Sequence, residues 1–404
     1  MANPDRPFHF RRLPWADFGD SRPGRDGHLV VACDSTEDQP LPSDHVMGVG
    51  GASRTLLTLT PRRPMATALD LGSGCGIGAL LLAAHADYVV ASDVSPRALM
   101  ASRATCKANG LSPDDVATVR ASFTDAFAAD SFDLVTSNPP FVISPGTGHE
   151  YRESPLPGDS LTPTLVAGIR RVLRPGGWAV VLTSWLQRTD EVWEDRLTDW
   201  LPTDCHGWVA RRDVLESDAY VDFWLRDSGH SGDTGLRTRW HEYLDSLGAD
   251  GVGFGWIVLH RPPHEATSPV HWAEDVAGAL RVPAGDEVEA EFARRIDCPS
   301  ATEVLASTPR RAPGVEVVAI GSAAGATGVP DRASLLTQPG GWRPPEPLDP
   351  ALSWLFAASL DVPLARQLHA CADDLGMDPT DVLVSWLPGL RGLIERGFVT
   401  LDLE

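Results

Sequence analysis

The chain has 404 residues, enough for two domains, and its 43% hydrophobic and 22% charged residues are typical of a folded globular protein. Its formal net charge of −21 argues against a long, tightly bound nucleic acid as partner, because an acidic surface repels phosphates. Six scattered cysteines without a CxxC pair predict neither a disulfide framework nor a metal site, and a polar start without any long apolar run predicts a cytoplasmic protein with no membrane span.

The first two thirds of the chain alternate strands and helices. Residues 1–44 are polar and form an N-terminal extension with one short strand, at 28–32. Further strands are expected at 68–71, 88–93, 117–120, 132–136, 178–183, 206–210 and 254–260, and helices at 77–84, 96–108 and 163–173. This alternation predicts a parallel sheet with right-handed crossovers, in a catalytic domain over residues 45–261.

Beyond residue 262 the pattern changes, which predicts an accessory α+β domain over 262–404. We expect helices at 270–280 and 287–295, a strand at 315–320, and no regular element in 322–350. The region near 350–404 resembles a winged-helix module, with short helices closed by a strand. Its last helix offers only Arg391 and Arg396 as bases, so packing or partner docking is favoured over DNA reading.

A glycine cluster joins the first strand of this alternation to the helix at 77–84. Glycines at 72, 74 and 76 allow a tight turn and a close approach of a ligand to the backbone, and Asp93 at the end of the next strand can accept both hydroxyls of a ribose. The segment Gly74-x-Gly76-x-x-Ala79 also fits the dinucleotide pattern GxGxxA. A plain strand–helix turn is the simplest alternative.

The frame Asp70-x-Gly72-x-Gly74-x-Gly76 resembles motif I of class I S-adenosylmethionine-dependent methyltransferases. This resemblance implies a Rossmann-like, seven-stranded sheet and S-adenosyl-L-methionine as the cofactor. It also implies that Asp70 lies near the methionyl ammonium and that Asp93 holds the ribose. The other cofactor-binding residues that it implies are Gly50, Ser53, Gly72, Gly74, Gly76, Val94, Ser122, Phe123 and Asn138.

The stretch Ser137-Asn138-Pro139-Pro140-Phe141 follows the strand at 132–136 and resembles the [DNS]-P-P-[YF] motif of methyltransferases that act on planar amino groups. The lone pair of such a group is delocalised. If the Asn138 side-chain oxygen and the Pro139 carbonyl accept its two hydrogens, the lone pair can localise, while the Phe141 ring stacks on the flat group. The alternative, a proline-rich strand stop, explains the prolines but neither Asn nor Phe. We therefore predict Asn138, Pro139, Pro140 and Phe141 as the catalytic set.

The stretch from 44 to 183, together with the acidic C-terminal region, looks like a group of methyltransferases from high-GC bacteria. Its core is similar to the HemK-like release-factor glutamine methyltransferases and to the small-domain rRNA guanine methyltransferases. Two departures stand out from the HemK-like enzymes. Phe141 replaces their usual Tyr, and their N-terminal helical substrate domain is missing.

The loop 142–160 follows the motif directly, and we predict substrate contacts for Phe141, Tyr151, Arg152 and Asp159. The favoured acceptor is a protein glutamine or other amide, because basic protein partners suit an acidic surface. The alternatives are adenine N6 or guanine N2 of RNA or DNA, a small molecule, or a cofactor-binding module without activity.

Overall fold

The computed structural model describes residues 6–19, 27–36, 41–146, 152–264, 268–321, 332–339, 341–357 and 362–402. The chain divides into two compact units, Met1–Asp275 with Val282–Asp286, and Val276–Arg281 with Glu287–Glu404. Within the described ranges, no helix combines the length and the apolar character needed to cross a membrane.

The first unit is an α/β fold. Its strands are β1 (His9–Pro14), β2 (His28–Cys33), β3 (Met65–Leu71), β4 (Ala86–Asp93), β5 (Val116–Arg120), β6 (Phe132–Ser137), β7 (Leu173–Gln187), β8 (His206–Glu216), β9 (Gly251–His260) and β10 (His271–Asp275). Its helices are α1 (Gly51–Leu59), α2 (Ile77–Leu82), α3 (Pro96–Ala108), α4 (Leu161–Val172), α5 (Trp193–Thr198), α6 (Ser217–Asp227) and α7 (Thr234–Ser246).

Eight of these strands form one mixed sheet in the order β10-β8-β9-β7-β6-β3-β4-β5. Strands β3 to β7 are mutually parallel, whereas β9 runs antiparallel to both of its neighbours. The Rossmann-like α/β sheet is therefore confirmed. The predicted number of seven strands is wrong, because residues 271–275, expected within a helix, pair as a parallel edge strand with β8.

Strand β3 marks the point where the strand order reverses, with β4 and β5 on one side and β6 and β7 on the other. Leu71 at its end is level with Ser92 of β4 and with Ser137 of β6. In open α/β sheets, ligands bind outside the carboxyl ends of the strands at such a reversal. The three segments that carry the predicted chemistry leave the sheet at this place.

The N-terminal residues form a two-stranded ribbon that lies along α3. Side chains of that helix replace a neighbouring strand for β2: Thr105 Oγ1 accepts the Ala32 N–H at 2.9 Å, and Asn109 bonds both the N–H and the carbonyl of Val30. The sequence predicted β2 but not β1, because most side chains of β1 are exposed and show no apolar alternation. Behind the ribbon, Trp15 and Leu29 share one core cluster with Ile77 at the start of α2.

A buried ion pair fixes the ribbon to the start of α3. Asp34 and Arg97 are only 3% and 4% exposed, and the Arg97 guanidinium donates to both carboxylate oxygens of Asp34. Burial would raise the Asp34 pKa, but hydrogen bonds from Arg97, the Val46 N–H and Arg6 outweigh it and lower the pKa to about 2.

The second unit is helical with two small sheets. Its helices are α8 (Gly285–Ile296), α9 (Ala301–Ala306), α10 (Pro350–Ala357), α11 (Leu364–Leu375) and α12 (Pro379–Glu395), and its strands are β11 (Thr308–Arg311), β12 (Glu316–Gly321), β13 (Arg332–Thr337), β14 (Glu346–Leu348) and β15 (Val399–Asp402). Strands β13 and β14 fall in the region where no element was expected, so that expectation is wrong. The winged-helix resemblance stays a prediction.

Replacing Asp34 with Asn tests the ribbon's attachment. The change leaves the Arg97 guanidinium buried without its counter-charge, and removing one partner of a buried pair costs about 3–5 kcal/mol. We expect a loss of that size in urea unfolding at pH 7. Because the folded-state pKa is depressed, the contribution of the wild-type carboxylate is complete above its unfolded pKa, near 4, and is lost as the pH falls toward 2.

Asp17→Asn is the matched control. Asp17 pairs with Arg54, and both side chains are 38% exposed, so its loss should cost less than about 1 kcal/mol. Equal losses in the two variants would contradict the role given to Asp34.

Candidate active site

The glycine loop between β3 and α2 requires glycine for two different reasons. Gly72, Gly74 and Gly76 have φ values of 77°, 50° and 79°, in the left-handed region. A Cβ on Gly76 would also lie 2.7 Å from Ser102 Cα, so α3 excludes any side chain there. A Cβ on Gly74 would meet no described atom within 4 Å. Gly76 is thus required by packing, whereas Gly74 borders open space.

Asp70 lies buried at the end of β3 and holds the start of α2. Its Oδ2 accepts the Ala79 N–H at 2.8 Å, one of the helix donors that lack an intrahelical partner, and Thr136 Oγ1 donates to Oδ1 at 3.3 Å. Burial raises the pKa of this carboxyl to about 6. A Cβ on Gly78 would lie 2.4 Å from Asp70 Oδ1, so this fourth glycine, which sequence analysis did not single out, leaves room for the carboxylate.

Asp93 at the end of β4 orients the same loop. Its Oδ2 accepts the Gly74 N–H at 3.0 Å and its Oδ1 accepts the Ser95 N–H at 2.9 Å, and burial raises its pKa. Each carboxylate oxygen keeps a further lone pair, which suits the two hydroxyls of a ribose.

The other predicted cofactor residues lie around this loop and at the start of α1. Val94 follows Asp93 and is 58% exposed. Ser122 is exposed, and Phe123 is half-buried with a φ of 46°, just after β5. Gly50 is the N-cap residue of α1, and Ser53 lies in its first turn. Their contacts with a cofactor stay predictions.

The motif Asn138–Phe141 leaves β6 directly beside the glycine loop. Ser137 Oγ donates to the Leu71 carbonyl at 2.9 Å and so joins the two strand ends. A Cβ on Gly72 would lie 3.9 Å from the Asn138 carbonyl oxygen. Asn138 is half-buried, and no described residue hydrogen-bonds its side-chain amide. The structure thus brings the amide expected to bind the acceptor next to the loop expected to bind the cofactor.

The segment after the motif is held by residues that sequence analysis missed. Tyr220 Oη, from α6, accepts the Ile143 N–H at 2.8 Å and donates to the Ile143 carbonyl at 3.1 Å. Ser184 Oγ, from β7, donates to the Phe141 carbonyl at 2.5 Å. Val142 is bonded through its N–H to the Arg152 carbonyl at 2.8 Å. Tyr220 and Ser184 are more than forty positions away from their partners in the sequence, so no local pattern marks these two residues.

The predicted substrate contacts in loop 142–160 have mixed outcomes. Arg152 is buried, where it pairs with Asp227 and stacks on the Trp224 ring. Asp159 accepts from the Leu186 N–H at 3.0 Å and from Arg196 at 2.8 Å. Both side chains therefore have structural partners, and a substrate contact for either stays a prediction. Tyr151 lies outside the described residues.

The first unit is an α/β domain in which the glycine loop, Asp93 and the Asn138–Phe141 motif meet at the carboxyl ends of neighbouring strands. Residues 47–196 match the family described as Methyltransferase small domain. This part of the chain is therefore similar to a methyltransferase domain, and its residues fit S-adenosylmethionine as the cofactor, with open space at Gly74 and acceptor lone pairs on Asp93.

Curated relatives match about a third of the chain. Ribosomal RNA small subunit methyltransferase C of Enterobacter sp. (strain 638) is 38% identical over 129 residues, which is 31% of this chain and 33% of the relative. The protein of the same name from Salmonella paratyphi B is 36% identical over 129 residues, with the same coverage. The chain thus spans about a third of the length of these relatives.

Among solved structures, the geranyl diphosphate C-methyltransferase of Streptomyces coelicolor A3(2) overlaps 52% of this chain and 77% of its own. The sequence identity is 14% and the TM-score 0.32, an overlap too loose to carry an argument.

Two alanine variants separate packing from cofactor binding in the glycine loop. Gly74→Ala should lower the affinity for S-adenosylmethionine at least tenfold, because its methyl enters the space left for the cofactor, while the melting temperature falls only slightly. Gly76→Ala should lower the melting temperature by many degrees, because its methyl collides with the α3 backbone. Calorimetric titration and thermal unfolding measure both. The same pattern in the two variants would contradict this division.

Tyr220→Phe tests the support of the acceptor motif. The variant keeps the ring but leaves the Ile143 N–H and carbonyl without their partner, at about 1–3 kcal/mol for each unsatisfied group. We expect a fall in kcat of at least about tenfold with an unchanged Kd for S-adenosylmethionine. Tyr88→Phe is the control, since Tyr88 is 39% exposed near the start of β4, at the opposite end of that strand from Asp93, and it should leave kcat within about twofold. An equal fall in both variants would remove Tyr220 from this role.

Proposed function

We propose that this protein transfers a methyl group from S-adenosylmethionine to the exocyclic amino nitrogen of a base in the RNA of the small ribosomal subunit. The observation that carries the proposal is the position of Asn138. Asn138 follows the end of β6 with its backbone carbonyl beside Gly72, and no described residue hydrogen-bonds its side-chain amide. The small-subunit rRNA methyltransferases among the relatives support an RNA acceptor.

The cofactor supplies an electrophilic methyl group on its sulfonium, so the protein's task is to present the nucleophile. Asn138 Oδ1 and the Pro139 carbonyl accept the two hydrogens of the amino group, which localises its lone pair toward the methyl. The half-buried Phe141 ring stacks on the base and fixes its plane. After transfer, the surplus proton of the nitrogen passes to water, so no strong base is needed.

The net charge of −21 favours a second candidate, an amide of a basic protein such as a ribosomal protein or release factor. An experiment with unmethylated small ribosomal subunits distinguishes the RNA acceptor from the protein acceptor. The subunits are incubated with methyl-labelled cofactor and then digested with ribonuclease or protease. Release of the label by ribonuclease supports the RNA acceptor. Release of the label by protease supports the protein amide as the acceptor instead.

Asn138→Ala tests the acceptor role directly. We expect kcat to fall at least about 10²-fold, as for the loss of a preorganised hydrogen-bonding group in other active sites, while the Kd for S-adenosylmethionine stays within about threefold. Asn138→Asp keeps an acceptor oxygen at the same place and should retain more activity than the Ala variant. A parallel loss of cofactor binding and turnover would show that Asn138 serves the cofactor and not the acceptor.

A further inference from the structure

We propose that the exposed strand β1 is the surface on which a single-stranded segment of the RNA acceptor docks. This inference rests on the proposed function. The surface consists of His9, Phe10, Arg11 and Arg12, all exposed, and we call it the ribbon surface. The catalytic site described above contains none of these residues.

The charge of the ribbon surface is opposite to that of the chain. Residues 6–14 contain three arginines and no carboxylate, in a protein with a net charge of −21. Arg6 forms an ion pair with Asp34, but no described carboxylate pairs with Arg11 or Arg12. Two unpaired guanidinium groups on an exposed strand are suited to phosphates, which each can bind through two parallel hydrogen bonds.

An aromatic side chain directly precedes these cations in the strand. Phe10 is 57% exposed, although a phenyl ring gains by burial. Proteins that bind single-stranded nucleic acid combine cations along the backbone with aromatic rings on which bases stack. The ribbon surface has both features within four consecutive residues.

The ribbon surface is connected to the candidate site through α3. His9 is paired in register with Cys33, the neighbour of Asp34. Asp34 binds Arg97 in the first turn of α3, whose N-cap residue Ser95 donates its N–H to Asp93. On the other side, a Cβ on Gly48 would lie 4.0 Å from Arg11 Nη1, next to the segment that leads into α1. A strand of RNA along β1 is thus directed toward the crevice of the catalytic site.

Edge protection is the competing explanation, because charged residues on an edge strand discourage pairing with a second sheet. Among the described strands, β1 pairs only with β2, so it has such an edge. Protection accounts for Arg11 and Arg12, but not for an exposed phenylalanine between them and His9, since an apolar ring on an edge promotes association.

The test measures binding of a fluorescein-labelled 12-nucleotide oligouridylate by anisotropy across a potassium chloride series. For Arg11→Ala/Arg12→Ala, the negative slope of log affinity against log salt should become less steep by about 1.4, which is about 0.7 for each lost phosphate contact on a single strand. Phe10→Ala should weaken binding at least about fivefold with an unchanged slope, because stacking carries no charge. Arg11→Lys/Arg12→Lys should keep the slope.

Arg311→Ala/Arg366→Ala is the control of equal charge, since both arginines are exposed in the second unit, and it should leave binding unchanged. An effect equal to that of the ribbon variant would reduce the proposal to a general charge effect and overturn it. So would a wild-type protein that does not bind the oligonucleotide. Self-association of the alanine pair with unchanged RNA binding would establish edge protection instead.

Methylation of small ribosomal subunits by the same variants separates this proposal from the proposed function. If the wild-type protein labels the RNA and the ribbon variants have the same KM for small ribosomal subunits, the proposed docking surface is wrong and the proposed function stands. If wild type labels only protein, the proposed function fails, and the oligonucleotide measurements decide the ribbon surface independently. A KM raised at least about tenfold in the arginine pair, with unchanged cofactor Kd, is the result that supports both.

Discussion

The structure depends on the close passage of two chain segments at the ends of β3 and β6. These parallel strands end level with each other, and Ser137 Oγ ties them through the Leu71 carbonyl. Beyond this bond the glycine loop turns one way and Asn138–Phe141 the other, with the Gly72 backbone beside the Asn138 carbonyl. A Cβ on Gly72 would be in van der Waals contact with the Asn138 carbonyl oxygen, so the two segments pass as close together as a side chain at this position would allow.

Support for this point comes from elements on both faces of the sheet. The N-terminal ribbon and α3 pack behind the glycine loop, and their core contains Cys75 of the loop itself. On the acceptor side, α6 and α7 share a core cluster with Val142 and Ile143. The carboxylates of Asp70 and Asp93 are oriented by hydrogen bonds from backbone N–H groups, which is the kind of support that catalysis by positioning requires.

Sequence analysis predicted the elements whose bounds are set by neighbouring residues in the chain. Helix α3 was predicted with its observed bounds, because Ser95 and Pro96 begin it and Asn109-Gly110 ends it. Strand β10 was missed because its five residues, four half-buried and one exposed, show no alternation, and only pairing with β8 makes them a strand. Tyr220 was missed because its function is a contact across 77 positions. Gly78 was missed because the need for glycine there comes from the space that the Asp70 carboxylate occupies, which only the folded structure shows.

The hairpin of α6 and α7 has a consequence for how the acceptor choice can change. It is inserted between β8 and β9, and it supports the segment after Phe141 without supplying any residue of the glycine loop. The residues that hold the loop, such as Asp93 and Ser102, lie before residue 110. Substitutions in the hairpin can therefore reshape the acceptor side while the cofactor side keeps its geometry. Within one chain, the residues on the cofactor side and those on the acceptor side can therefore evolve at different rates.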